Sequence, residues 1–215
     1  MRLNSLTAAS VTLSALAGLP LAAADLNVAD LRLSLGFQDN NLTSTDFTDV
    51  GRNMDENWRG QVQYLAGKLG DNGGLIWGAG FALNHATWDV SSEKTAHVTT
   101  PTVDVLLGYG YAFASNFHVE LTPFAGYGRA YYGVNDNDTT TTSKEWDNYF
   151  EYGIKLGAYV AFDNKVMLGL EVPFMVGRYD PEYTYNDDAG NPHVSVDEKR
   201  RCQGFGLLAT VGYRF

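Results

Sequence analysis

The chain has 215 residues, with 15 lysines and arginines against 25 aspartates and glutamates, for a formal net charge of −10. That length suits one domain or one barrel, and the acidic balance argues against a nucleic-acid partner, which calls for a basic surface. Cys202 is the only cysteine, so an internal disulfide is excluded. No Cys/His spacing suggests a metal, and no cofactor is expected.

Residues 1–24 have the pattern of a secretory signal peptide. Arg2 supplies the positive end, Leu6 to Leu19 a short apolar run, Pro20 a break, and Ala22-Ala23-Ala24 a small-residue cleavage site before Asp25. Removing residues 1–24 takes away Arg2 and no acid, which makes the net charge −11. The apolar run is too short to span a bilayer comfortably. After Asp25 no apolar run is long enough for a membrane helix, but closed β-barrels also satisfy every backbone group internally.

From there the chain alternates apolar and small or polar residues with period two, the mark of strands. Leu31 to Phe37 comes first, then Trp58 to Ala66, Leu75 to Leu83, and Val103 to Phe113. Phe117 to Tyr127, Phe150 to Phe162, Val166 to Val176, and Phe205 to Phe215 complete eight runs. Pro123 and Pro173 lie inside two of them, and each removes a ladder donor, which predicts a local bulge or bend.

The connections alternate in length. Gly70–Gly74, Ala114–Asn116 and Asp163–Lys165 are short and turn-like. Asp39–Asn57, Asp89–His97, Val134–Asp147 and Pro181–Val196 are long and polar. Most runs reach the roughly 9–11 residues a tilted membrane strand needs, against about 5–6 for an average strand. One face of each is bulky and apolar, the other mostly Gly, Ala, Ser and Thr with scattered charges, which suits a narrow interior. The expected fold is all-β: residues 25–215 form one eight-stranded, antiparallel, up-and-down transmembrane β-barrel. Both chain ends would then lie on the short-turn side. Aromatics such as Phe113, Phe162 and Phe215 at that end, and Trp58, Tyr131, Tyr149 and Tyr179 near the long loops, suggest two interfacial girdles.

The terminal Tyr213-Arg214-Phe215, with Leu207, Ala209 and Val211 alternating before it, is like the C-terminal assembly signal of bacterial outer-membrane barrels. With the strand count and loop asymmetry, the chain resembles the small Gram-negative OmpA/OmpX-like or Opa-like eight-stranded group. The resemblance implies an outer-membrane location in a Gram-negative bacterium. It also implies the barrel assembly machinery as a partner, read through Leu207, Ala209, Val211, Tyr213 and Phe215. It is weak for any one function, because small barrels host adhesins, enzymes, anchors and pores.

Ionisable residues with inward parity are Arg32, Asp104, Glu120, Lys155, Glu171 and Arg214. Glu120, Lys155 and Glu171 are expected to form a salt-bridged plug, since a buried charge needs a partner. Arg178, Lys199, Arg200 and Arg201 lie just above the expected lipid boundary, where they would meet lipopolysaccharide phosphates. Cys202 is expected to point inward as a free thiol. His85, with Trp88 and Ser91 and Ser92 following, is a weak candidate for lipid A chemistry, and His97, His118 and His193 complete the histidines. Asp136, Asp138, Asp180, Asp187, Asp188 and Thr139 to Thr142 make acidic, hydroxyl-rich loops without the spacing of a calcium site. The expected role is structural or surface-interacting, with displayed loops, a possible extracellular ligand, a plugged lumen and no enzymatic activity. A narrow pore and a lipid A-modifying enzyme are the alternatives.

Overall fold

The computed structural model describes residues 26–44, 52–53, 56–70, 72–89, 94–136, 143–179, 183–186, 192–195 and 200–215. Eight long strands carry the architecture: β1 Leu26–Ser44, β2 Glu56–Leu69, β3 Gly74–Asp89, β4 Lys94–Ala114, β5 Phe117–Asp136, β6 Ser143–Ala161, β7 Val166–Tyr179 and β8 Arg200–Arg214. A two-residue strand, Arg52–Asn53, pairs with the upper part of β1, and Tyr183–Asn186 pairs with Pro192–Ser195 outside the main sheet. Among the described residues no helix is long and apolar enough to cross a membrane.

Every sequential pair of long strands is antiparallel, and β8 closes on β1 from Asp30↔Arg214 to Ser44↔Arg200. Closure removes the sheet edges, so each backbone donor along the wall finds a partner without water. The registers also fix the stagger. Stepping across partners from Asp30 through Leu65, Gly78, Leu106, Phe124, Gly153, Met175 and Gly204 returns to β1 at Asn40, ten residues above the start. A stagger of that size tilts the strands by roughly 40° to the axis.

Short turns join the lower ends. At the β2–β3 turn Gly70 and Gly73 bond each other's backbones, and Gly73 takes a φ of 81°, which a side chain would resist. The β6–β7 turn is closed by Lys165 N donating to Phe162 O at 2.8 Å, with Lys165 itself at a φ of 67°. The strands extend further up than the apolar alternation suggests. β1 continues to Ser44, β4 begins at Lys94, β5 runs to Asp136 and β6 begins at Ser143, all within segments expected to be loops.

The prolines depart from expectation. No bulge occurs at Pro123 or Pro173. The ladder lapses over Leu107–Gly108 opposite Thr122–Pro123, and over Val172–Pro173 opposite Gly206–Leu207, then resumes in the same register. A missing donor opens the ladder locally, while the bonds on either side hold the pairing. The register shift falls instead at Ala112–Ala114, beside the β4–β5 turn.

Candidate functional site

Strand parity divides the wall into two surfaces. Leu31, Leu33, Leu35 and Phe37 of β1 point out, Phe37 with 81% of its surface exposed. So do Val103 to Tyr109 at alternate positions on β4, Leu168 to Phe174 on β7, and Phe205 to Tyr213 on β8. Between them Asp30, Arg32, Arg59, Asp104, Glu120, Glu151, Lys155 and Glu171 are all at most 1% exposed. A water-soluble protein does not show this inversion: the charges are inside and the apolar side chains form an exposed belt.

The interior charges pair in three tiers. In the lowest, Arg214 bonds both oxygens of Asp30, Nε to Oδ1 at 2.8 Å and Nη2 to Oδ2 at 2.9 Å. Arg32 shares Asp30 through Nη2 at 2.9 Å and reaches across the lumen to Glu120 with both Nη atoms. His118 Nε2 stands 3.6 Å from Glu120 Oε2. In the middle tier Lys155 Nζ lies 3.2 Å from Glu171 Oε2, and Gln63 accepts from the same ammonium. In the upper tier Arg59 Nη2 donates to Glu151 Oε1 at 2.7 Å and to Asp104 Oδ2 at 3.2 Å, while Nη1 donates to Asn84 Oδ1 at 2.9 Å. Glu151 also accepts from Asn84, Tyr149 and Thr102.

Two side chains join the tiers. Tyr159 donates to Glu171 Oε1 at 2.7 Å, stacks on His118 at 5.1 Å between centroids, and lies 3.9 Å under the Arg32 guanidinium. Gln61 donates to Glu171 and accepts from Arg59 Nε at 3.3 Å. The Gly-rich inner face makes room for this. A Cβ on Gly169 would collide with the Tyr159 ring, and one on Gly157 would sit 2.5 Å from it. Apolar clusters fill the rest: Leu26, Val28, Leu65, Leu69, Ile76 and Ala112 near the short turns, and Leu106, Phe124 and Met175 further up.

Among the described residues the inward side chains are buried and bonded to one another, and the exterior is a belt of apolar side chains on all eight long strands. No protein-family model and no curated protein matches the sequence. Among solved structures, a major outer membrane protein from Thermus thermophilus aligns at a TM-score of 0.50 with 14% identity, covering 88% of this chain and 99% of that one. The fold is that of a small outer-membrane β-barrel. Ail, the attachment invasion locus protein of Yersinia pestis, aligns at 0.44 with 13% identity over 87% of this chain and 99% of its own. Neisserial surface protein A aligns at 0.47 with 12% identity, over 86% and 97%. Identities this low speak for the architecture alone.

On that barrel the expected trio is met in part: Lys155 and Glu171 pair as expected, and Glu120 turns to a partner outside it. Glu120 pairs with Arg32, not with Lys155; Lys155 pairs with Glu171; Asp104 pairs with Arg59. Asp30, Arg59, Gln61, Gln63, Glu151 and Tyr159 lie outside the predicted set. All but Asp30 carry the inward parity of their runs and are legible by that rule; Asp30 lies just below the first apolar residue. Tyr149, expected in the outer girdle, is buried against Gly177.

Arg178 is exposed on the outer wall and pairs across the ladder with Arg201, while Arg200 pairs with Tyr179; Lys199 lies outside the described residues. Leu207, Ala209, Val211, Tyr213 and Phe215 are exposed on β8, and Phe215 N donates to Ala29 O at 3.0 Å across the closing seam. Cys202 is buried, pointing inward. His118 sits in the lowest tier, and His85 and His97 are on the outer wall. Trp88 is in β3 and His193 in a short outer strand, with side chains that are not described, and Ser91 and Ser92 lie outside the described residues. The same holds for Asp138, Asp180, Asp187, Asp188 and Thr139 to Thr142; Asp136 is the last residue of β5. Among the described residues no group of three or more His, Cys, Asp and Glu side chains could hold a metal ion.

Proposed function

We propose that this chain is a surface-interaction protein of a Gram-negative outer membrane, acting through structure displayed above the lipid and not through its lumen. The observation that carries this is the unequal height of the wall. β4, β5 and β6 stay paired far above the last belt residues, through Lys94↔Asp136 and Val134↔Ser143. The described part of β7 joins β6 only from Tyr149↔Tyr179 downward. Ser143 to Asn148 therefore forms a sheet edge with no ladder partner on the β7 side among the described residues. A sheet raised above the lipid gives a platform for binding.

The filled lumen supports a structural interior over a pore, because an eight-stranded wall leaves room for little beyond side chains. Export by a cleaved leader, insertion by the assembly machinery through the terminal aromatic motif, and lipopolysaccharide contact at Arg178, Arg200 and Arg201 with Lys199 belong to the same proposal. So does a non-catalytic role. Cells expressing the barrel should bind a host-cell layer or a peptide array more strongly than cells without it. Replacing residues 137–142 by a two-residue turn should abolish that gain while the barrel remains heat-modifiable on gels. Equal binding with and without the protein would overturn the reading, and a mass change in lipid A on expression would favour the enzyme.

A further inference from the structure

The apolar belt has a level top and a stepped foot. Its outward positions cover residues 29–37 on β1, 58–66 on β2 and 75–83 on β3, a span of eight residues on each. They cover residues 101–113 on β4 and 150–162 on β6, a span of twelve. On β5, β7 and β8 they cover 117–127, 166–176 and 205–215, a span of ten. The ten-residue stagger is shared by eight steps around the wall, so a level line drops one and a quarter residues below the ladder partner at each step from β1 to β8.

On that scale the upper edge, from Phe37, Trp58 and Leu83 round to Phe150 and Phe205, is level to within about two residues. The lower turns also end level, at Gly70, Ala114 and Asp163. The foot of the belt does not. Asn27 and Lys68, exposed partners across the β1–β2 ladder, stand within about one residue of the level of Phe113, Phe117, Phe162 and Phe215. β1 and β2 therefore present an amide and an ammonium where β4, β5, β6 and β8 present phenyl rings. Above them come Ala29 and Ala66, so the lowest bulky side chains on these two strands are Leu31 and Tyr64. A strand rise of roughly 3.3 Å at a tilt of roughly 40° gives about 2.5 Å of height per residue. The foot on β1–β3 thus lies roughly 5–8 Å above Phe113 and Phe162.

A lipid-facing wall sets the thickness of the hydrocarbon beside it, and beside a short apolar stretch the bilayer thins. Interfacial aromatics mark the headgroup boundary. That boundary steps up between Phe215 on β8 and Asn27 on β1, and down again between β3 and β4, where the Tyr109 hydroxyl donates to Asn72 O of the β2–β3 turn. We infer that the β1–β3 face holds the leaflet on the short-turn side thinner than the rest of the wall does, and favours phospholipids with short acyl chains beside it. The property recognised is hydrocarbon length, not a headgroup. The inference rests on the membrane-spanning reading.

The test uses the full chain refolded into vesicles that mix dimyristoyl and dibrominated dioleoyl phosphatidylcholine. Bromine quenches a nearby tryptophan, so quenching reports long-chain lipid at each face. Trp77, 60% exposed on β3, reports the short face once Trp58→Phe, Trp88→Phe and Trp146→Phe remove the other indoles. Leu156→Trp, in a chain that also carries Trp77→Phe, reports β6 within about two residues of the same level. Vesicles of the brominated lipid alone supply each reporter's full quenching, and heat-modifiable gel mobility reports the barrel independently.

In the mixture Trp77 should show about twofold less of its full quenching than the β6 reporter does. Asn27→Leu with Lys68→Leu, which extends the short face downward, should bring the two together. Phe117→Asn with Phe162→Lys, which shortens the opposite face, should move the β6 reporter toward Trp77. Equal fractions at the two reporters in the otherwise unchanged wall would overturn the inference. So would a difference that survives the Asn27→Leu and Lys68→Leu changes in chains that keep their mobility. Loss of heat-modifiable mobility in the wild type would instead contradict the membrane-spanning reading beneath it.

Discussion

Arg59 is the residue on which the upper lumen depends. It is 1% exposed, and its guanidinium serves Glu151, Asp104, Asn84 and Gln61 at once. A buried ion cluster is weak evidence for net stability, but removing one partner strands the others without compensation. Arg59→Met should therefore lower barrel stability by about 3–5 kcal/mol, read from urea midpoints in detergent, whereas an outward change such as Leu33→Ile should stay within about 0.5 kcal/mol. Tyr159 supplies a second test at this scale. Gly169→Ala should cost about 1–3 kcal/mol by forcing the ring off the wall, and Tyr159→Leu in the same chain should return part of it, measured by the same midpoints.

The sequence alternation tells which side chains face inward, because a wall with lipid outside admits only one parity for Arg32, Lys155 or Glu171. It does not tell which of them meet. Asp30 and Arg214, and Lys155 and Glu171, meet on neighbouring strands, but Arg32 and Glu120, and Arg59 with Asp104 and Glu151, meet across the lumen at a height set by the ten-residue stagger, a property of closure and not of any one run. Hence the sequence groups Glu120 with Lys155, when its guanidinium partner comes from β1. A double-mutant cycle separates the two arrangements. Lys155→Met with Glu171→Gln should show a coupling of about 0.5–3 kcal/mol, and Lys155→Met with Glu120→Gln should be nearer additive. The opposite ranking would contradict the three-tier pairing.

At the level of elements, β1 and β8 matter most, because they meet only when the barrel closes. Asp30 and Arg214 form the bidentate pair at the foot of the seam, and the backbone bond from Phe215 to Ala29 lies beside it. Deleting Phe215 removes that bond and an exposed aromatic at the interface. Pulse-chase labelling should show fewer heat-modifiable molecules per unit time, while the molecules that do assemble should melt close to the wild type. Strand ends are less legible than strand cores. Below the rim, lipid on one side forces alternation on Leu31 to Phe37; above it, water meets both faces, so segments such as Ser143 to Asn148 can pair as strands with no alternation to betray them. The prolines mislead for a related reason. Their cost is one donor each, and strands of 14 to 21 residues hold register across the gap.

At the scale of the whole molecule, the filled lumen and the raised sheet divide the labour. The interior holds the wall rigid through ion pairs, tyrosines and glutamines that run from Asp30 near the short turns to Glu151 below the upper rim. The exterior belt meets lipid, and in the proposed function the tall β4–β6 sheet meets whatever the cell surface presents. If the interior conducted, the raised sheet would more naturally serve as a gate than as a platform, so the state of the lumen decides the account. The direct measurement is single-channel recording of the refolded chain in planar bilayers, with Arg59→Ala plus Lys155→Ala as the opened comparison. The account predicts no steady conductance from the wild type under any applied voltage that the bilayer survives, and intermittent conductance from the double variant. A stable, ohmic wild-type channel would contradict it.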